Sequence, residues 1–173
     1  DFKDIDTSQL EARIQNPNRN VVRMLLKSLA YEQQDELLPA RWEIEHIFPQ
    51  KWQTNYFPDV PDAVIKEKIE HIGNKLPFEK RLNIVAGNGY FGKKKKEYTA
   101  SKIAITKAMG TSEINEWDMD SIMKRDIRIS DSIMALLAKW NNDYLNVPAD
   151  VAEEQPTKED LARIEEFKKK GWI

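Results

Sequence analysis

Cysteine is absent from the 173 residues. That removes disulfides, thiol nucleophiles and cysteine-based zinc sites together, and it fits a reducing compartment. Long hydrophobic runs are missing too. No stretch of about eighteen apolar residues occurs, which excludes an ordinary membrane-spanning helix. No N-terminal segment joins basic residues to an apolar run, so no secretory signal is visible, and a bacterial cytoplasmic location is the expectation. Charge of one sign is also lacking: 27 bases against 29 acids leave a net charge of -2. Histidine occurs only twice, at His46 and His71, and a zinc site on that pair lacks an obvious third ligand.

What is present supports one folded domain with an appendage. The composition is 40% hydrophobic and 32% charged, enough for a core under a polar surface. The charge is unevenly placed. Between Lys75 and Lys107 stand nine bases (Lys75, Lys80, Arg81, Lys93, Lys94, Lys95, Lys96, Lys102 and Lys107) against Glu79 and Glu97. An acidic chain with one basic stretch is suited to meet a polyanion at one place. The chain opens at Asp1 rather than Met, and the expectation is that a domain lies upstream, with residues 1–20 as its lead-in.

Periodicity gives the organisation. Asn16-Pro17-Asn18 is a helix-start signal, and Val22, Leu25, Leu26, Leu29 and Ala30 share a helical face. Pro39 stops that helix. Arg41–Ile47 reads as a strand, Phe57–Asp62 as a loop with two prolines, and Ala63–Ile69 as a short helix. Lys75–Phe78 reads as a second strand. Leu82–Gly92 is glycine-rich, and Lys93–Ser101 is a helix. Asp118 can cap a long helix whose Ile122, Ile129, Ile133, Leu136 and Trp140 keep apolar spacing, with Asp126 as its polar break. Residues 146–156 form a polar linker, and Thr157-Lys158-Glu159-Asp160 opens a last helix that Gly171 ends. The fold class expected is α+β, mainly α, with a small two-strand element clasped between flanking helices over residues 21–145, and residues 146–173 as linker and final helix.

The chemistry concentrates in Trp42-Glu43-Ile44-Glu45-His46-Ile47-Phe48-Pro49-Gln50. Phosphodiester hydrolysis needs a base for water and neutralisation of the phosphorane and leaving oxygen. His46 can serve as the base, since its ordinary pKa lies near neutrality. Glu45 and Asn83 can offer a carboxylate and an amide oxygen to a hard cation. One tension is built in: adjacent strand residues face opposite ways, so Glu45 and His46 can share a site only at a strand end, which Pro49 suggests.

Glu45-His46-Ile47-x-Pro49-Gln50, Ile72-Gly73-Asn74-x-Leu76, Leu82-Asn83, Asn88 and Phe91-x-x-Lys94-x-x-x-Tyr98 together resemble the HNH (His-Me finger, ββα-metal) endonucleases. The version most similar is the C-terminal domain of GmrSD-type modification-dependent restriction and phage-defence enzymes. The resemblance runs from Val21 to about Trp140 and includes Trp117 and Arg125. It implies a ββα-metal element and DNA cleavage dependent on one divalent metal, Mg²⁺ or alternatively Mn²⁺. It also implies an upstream nucleotide-hydrolysing sensor domain as partner. His46 would be the general base, and Glu45 and Asn83 the metal ligands. Asn74 would hold the loop that orients His46, and Lys94 would meet a phosphate. Three departures stand out. Glu45 replaces the commoner Asp, the interval from His46 to Asn74 is long, and Lys75-Leu76-Pro77-Phe78 replaces Leu-Thr-Leu-Leu. Pro77 cannot donate a ladder hydrogen bond.

Other residues have plainer readings. His71 is expected to cap a helix or pack beside the site. Asn88 before Gly89 is a turn former. Four successive lysines surround a helical turn, so Lys94 is expected to point to the site and Lys93 or Lys96 to touch backbone phosphates, with Lys80 and Arg81 beside them. Trp52 is the tryptophan best placed in sequence to contact substrate. The alternative to a nuclease is a catalytically inactive nucleic-acid-binding or regulatory module on the same fold.

Overall fold

A computed structural model of the chain describes residues 6–53, 56–146 and 157–169. The described residues run α1 (Thr7–Gln15), α2 (Arg19–Tyr31), β1 (Trp42–His46), α3 (Asp62–Lys68), a 3-10 turn (Ile72–Asn74), β2 (Lys75–Glu79), α4 (Lys80–Ala86), α5 (Phe91–Thr99), α6 (Ala104–Thr111), α7 (Met119–Leu145) and α8 (Lys158–Lys169). The fold is α+β and mainly α. The chain divides into two compact units, residues 1–136 and 137–173.

In the first unit, side-chain caps set the starts of α1 and α2. Asp6 accepts from Ser8 N at 2.9 Å and Asn18 from Val21 N at 3.0 Å, each satisfying a donor that a helix start leaves unpaired. The spaced residues Val22, Leu25, Leu26, Leu29 and Ala30 are the buried face of α2. Strands β1 and β2 pair antiparallel, with Ile44 opposite Pro77 and His46 opposite Lys75. Pro77 does not shorten β2. Its carbonyl accepts from Thr106 Oγ1 on α6, so this residue's polar edge faces away from β1, and the missing N–H removes nothing from the ladder.

Two helices were not legible as such. The segment expected to be a glycine-rich stretch from Leu82 begins instead as α4, directly after β2. Leu82 and Ala86, four apart, reach the core from one face of it, and Gly87 ends it at φ 55°, a conformation that suits glycine. α6 then follows α5, with Gly110 against the backbone at Thr99. The core is built from Ile47, Phe48, Ile65, Leu76, Phe78 and Tyr98, closed by Ile122 of α7. Phe78 and Tyr98 meet edge to face at 5.2 Å, a favoured aromatic geometry.

The first half of α7 buries Ile122, Arg125, Asp126, Ile129 and Ile133, so the expected apolar face holds. Asp118 accepts from Ser121 N at 2.8 Å at its start and from the Ser121 hydroxyl at 2.7 Å, and the hydroxyl bond foremost draws the Asp118 carboxyl below its usual range. The second unit contains the end of α7 and α8. Trp140 is exposed there, and Ile164 and Phe167 are half-buried. The expected linker over 147–156 and the stop at Gly171 lie outside the described residues.

At Gly73 the turn before β2 packs directly against α7. A Cβ there would lie 2.2 Å from Ile122 O and 2.6 Å from Asp126 Oδ1. Gly73→Ala is therefore expected to destabilise the protein by about 3 kcal/mol or more, the upper range for forced overpacking. The measurement is a fall in the urea midpoint at unchanged slope.

Candidate functional site

The buried side chain of Asn74 fixes the chain beyond β1. Its Oδ1 accepts from Phe48 N at 2.7 Å and from Trp117 Nε1 at 3.2 Å. Its Nδ2 donates to Phe48 O and to Ile69 O, both at 3.1 Å. Ile47 N adds a bond to Asn74 O at 2.9 Å. One carboxamide thus ties the 47–48 segment to the turn before β2, and His46 is the last strand residue before that tie.

α7 holds the turn from behind. Asp126 Oδ1 accepts from Gly73 N at 2.6 Å, and its Oδ2 meets His71 Nδ1 at 2.7 Å. Arg125 Nη1 donates to the carbonyls of Ile72, Gly73 and Lys75 at 3.2, 2.8 and 2.8 Å. Burial lowers the Arg125 pKa to about 10, which leaves it charged at neutral pH. His71, expected beside the site, is a buried partner of Asp126 within this support. Asp126 stood out in the sequence only as a polar break in an apolar helix face, and that break was the available signal.

Glu45 faces α5. Tyr98 Oη donates to Glu45 Oε1 at 2.8 Å, and Lys94 Nζ sits 2.7 Å from the same oxygen. Lys94 is 1% exposed and its ammonium also donates to His46 O at 2.5 Å. Lys94 points to the site as its position on α5 requires, but it ends on Glu45 and a backbone carbonyl. Burial and then the Glu45 charge push the Tyr98 phenol well above its ordinary value, so it remains a donor.

His46 faces the other way, as strand alternation demands. Its Nε2 is buried without a hydrogen bond and lies 3.6 Å from Glu70 Oε2, beyond a formed bond. Nδ1 makes no hydrogen bond among the described residues. Burial lowers the His46 pKa. Glu70 opposes that shift, while Lys75 and Lys94 reinforce it. Burial alone would raise the Glu70 carboxyl, but its hydrogen bond and ion pair with Lys75, at 3.0 Å, hold it below its usual range. Neither Glu70 nor Tyr98 was marked as a site residue from the sequence. Tyr98 was visible only at the end of the Phe91–Tyr98 pattern.

Glu45, His46, Asn83, Asn88 and Lys94 line one cavity of about 280 Å³. Asn83 reaches it from α4 and donates Nδ2 to Glu43 Oε2 at 3.3 Å. Asn88 braces the neighbouring loop through Lys51 O at 2.6 Å and Lys51 N at 3.2 Å, the turn role expected of it. The other proposed contacts are placed as follows. Lys93, Lys96, Lys80 and Arg81 are exposed, with Lys80 3.4 Å from Glu43. Trp52 is half-buried against Phe48, at 6.2 Å between ring centres. Among the described residues no three His, Cys, Asp or Glu side chains converge as a metal cage. Of the residues that line the cavity, Glu45 and Asn83 carry oxygen donors of the kind a hard cation takes while it keeps most of its waters.

Two outcomes are expected. Asn74→Ala strands buried polar groups of Phe48, Ile69 and Trp117. It should cost at least about 3 kcal/mol at roughly 1–3 kcal/mol per orphaned group, read by chemical denaturation. In metal-free protein the His46 ring should titrate below its ordinary 6.5, followed by NMR. Glu70→Gln removes the carboxylate that stabilises the imidazolium, so the midpoint should move lower still. A rise would contradict the assigned electrostatics.

The family described as GmrSD restriction endonucleases, C-terminal domain, matches residues 1–131. No curated protein and no solved structure matches the chain. The chain belongs to the GmrSD C-terminal domain family, and residues 1–131 are a restriction endonuclease-type nuclease domain.

Proposed function

We propose that the domain is an HNH endonuclease that hydrolyses phosphodiesters of DNA with one divalent metal, Mg²⁺ or Mn²⁺, as the effector of a bacterial restriction or anti-phage protein. Recognition of modified DNA and nucleotide-triggered control belong, in this reading, to an upstream sensor domain. The observation that carries the proposal is the convergence of His46, Glu45 and Asn83 on one polar cavity.

The chain's own residues divide the work. The Glu70 carboxylate favours a proton on His46 Nε2, which leaves the Nδ1 lone pair to accept a proton from water. A lowered pKa keeps that imidazole neutral at physiological pH, the state a general base requires. Asn74 keeps His46 at the strand end. Glu45 and the amide oxygen of Asn83 would hold the metal. When bound, it would neutralise charge on the phosphorane and the leaving oxygen. Lys94 then acts from beneath the site, orienting Glu45 and the His46 carbonyl, rather than as a free phosphate contact. Exposed Lys93, Lys96, Lys80 and Arg81 would meet backbone phosphates, and Trp52 the substrate's edge.

One contact favours the second reading, a binding module without turnover: the Lys94 ammonium lies on a Glu45 oxygen that a cation would otherwise share. Supercoiled plasmid with Mg²⁺, Mn²⁺ or EDTA separates the two readings. Metal-stimulated nicking is expected. His46→Ala should lower it by roughly 10²–10⁴-fold, the usual contribution of a general base, with unchanged circular dichroism. Salt-dependent binding without nicking by the parent protein would establish the module instead.

A further inference from the structure

His46 borders a second, larger cavity of about 810 Å³, between the α1–α2 junction, α2 and β1. Its apolar lining is confined to Pro17, Val22 and Ile44. Small-molecule pockets are mostly apolar or aromatic, so this cleft is built for something charged and hydrated. Its two carboxylates already have cations: Glu70 pairs with Lys75 at 3.0 Å and Glu43 with Lys80 at 3.4 Å. Its two arginines have no carboxylate partner among the described residues. Arg19 is exposed and makes no such pair. Arg23 sits over the Trp42 ring at 3.7 Å from its centre, with Nη2 donating to Trp42 O at 3.1 Å. A guanidinium fixed in this way loses little freedom when its remaining N–H groups meet a phosphate.

We infer that this cleft is a path for the backbone of a double-stranded DNA substrate, with Arg19 and Arg23 contacting phosphates that approach His46 along α2. The inference rests on the nuclease reading and adds to it a binding wall outside the basic 75–107 stretch. His46 borders both cavities, so a strand laid along the cleft passes the ring and brings its phosphodiester toward Asn83. The carboxylates of the cleft do not repel it, because Lys75 and Lys80 neutralise them.

The test uses the whole 173-residue chain in EDTA, so that binding is measured without turnover. Fluorescence anisotropy of a labelled short duplex across a salt series gives the slope of log affinity against log salt. Arg19→Ala should weaken binding several-fold and reduce the slope by about 0.9, the value for one lost phosphate contact. Arg19→Ala with Arg23→Gln should reduce it about twice as much. Lys124→Ala, exposed on α7 and outside the cleft, should match the parent. Removing Arg23 also removes a stacking contact, so a thermal melt accompanies the double variant. The single variant at exposed Arg19 stands without it. A parent that binds while Arg19→Ala keeps its affinity and slope overturns the cleft, as does a parent that does not bind duplex at low salt. A cleft overturned in this way leaves plasmid nicking as a separate result. Loss of slope in the arginine variants of a protein that never nicks supports the cleft and sinks the nuclease.

Discussion

Asn74 is the constraint on which the site depends. A strand end followed by a loop has no regular ladder to hold it, and His46 sits at that point. The Asn74 carboxamide uses its oxygen and its nitrogen twice each, on Phe48 N, Trp117, Phe48 O and Ile69 O. All of these bonds are buried, where an unmet partner is expensive. The loop therefore cannot drift without stranding several groups at once. That cooperativity, rather than any single bond, gives His46 a defined direction.

Behind this clamp lies a second layer of charge. Asp126 and Arg125 of α7 grip the backbone of the 72–75 turn from adjacent positions. The absence of a side chain at Gly73 lets α7 approach to that range. The buried carboxylate is met by Gly73 N and His71, and the buried guanidinium by three carbonyls on its Nη1, which offsets the cost of burying them. The cost is accepted in a place where it fixes geometry next to the site. His71 completes this arrangement. Its Nδ1 meets Asp126 Oδ2 at 2.7 Å, on the support side of the turn.

The sequence carried the strands, α2 and the start of α7, because those depend on periodicity and capping residues, and its motif spacing singled out Glu45, His46 and Asn83, which line one cavity, and Asn74, which ties the loop beside it. Helix α4 was hidden by the glycines that follow it: Gly87 and Gly89 made the whole segment read as loop, although the helix ends before them. Glu70 was invisible as a partner of His46, since nothing local links a residue at the end of one helix to a strand end far back in the chain. The destination of Lys94 was equally hidden. Spacing on a helix tells which way a lysine points, but not that a tyrosine and a glutamate wait beneath it.

The alternation of β1 explains how two adjacent residues can do different jobs. Glu45 and His46 face opposite sides, and the two sides differ electrically. Toward α5, a buried ammonium and a phenol that stays protonated both meet one Glu45 oxygen. Toward Glu70, burial outweighs a carboxylate already committed to Lys75, and the imidazole is held neutral. In the proposed mechanism a negative oxygen donor and a neutral base would be separated by one peptide unit, because the pleat sends the two side chains into different surroundings. Had both pointed to one face, the glutamate charge would have stabilised the imidazolium and left less of the ring in the neutral form that can accept a proton. The strand end lets the two side chains still border a common cavity, so the opposition that seemed to forbid a shared site is what keeps its two members chemically distinct.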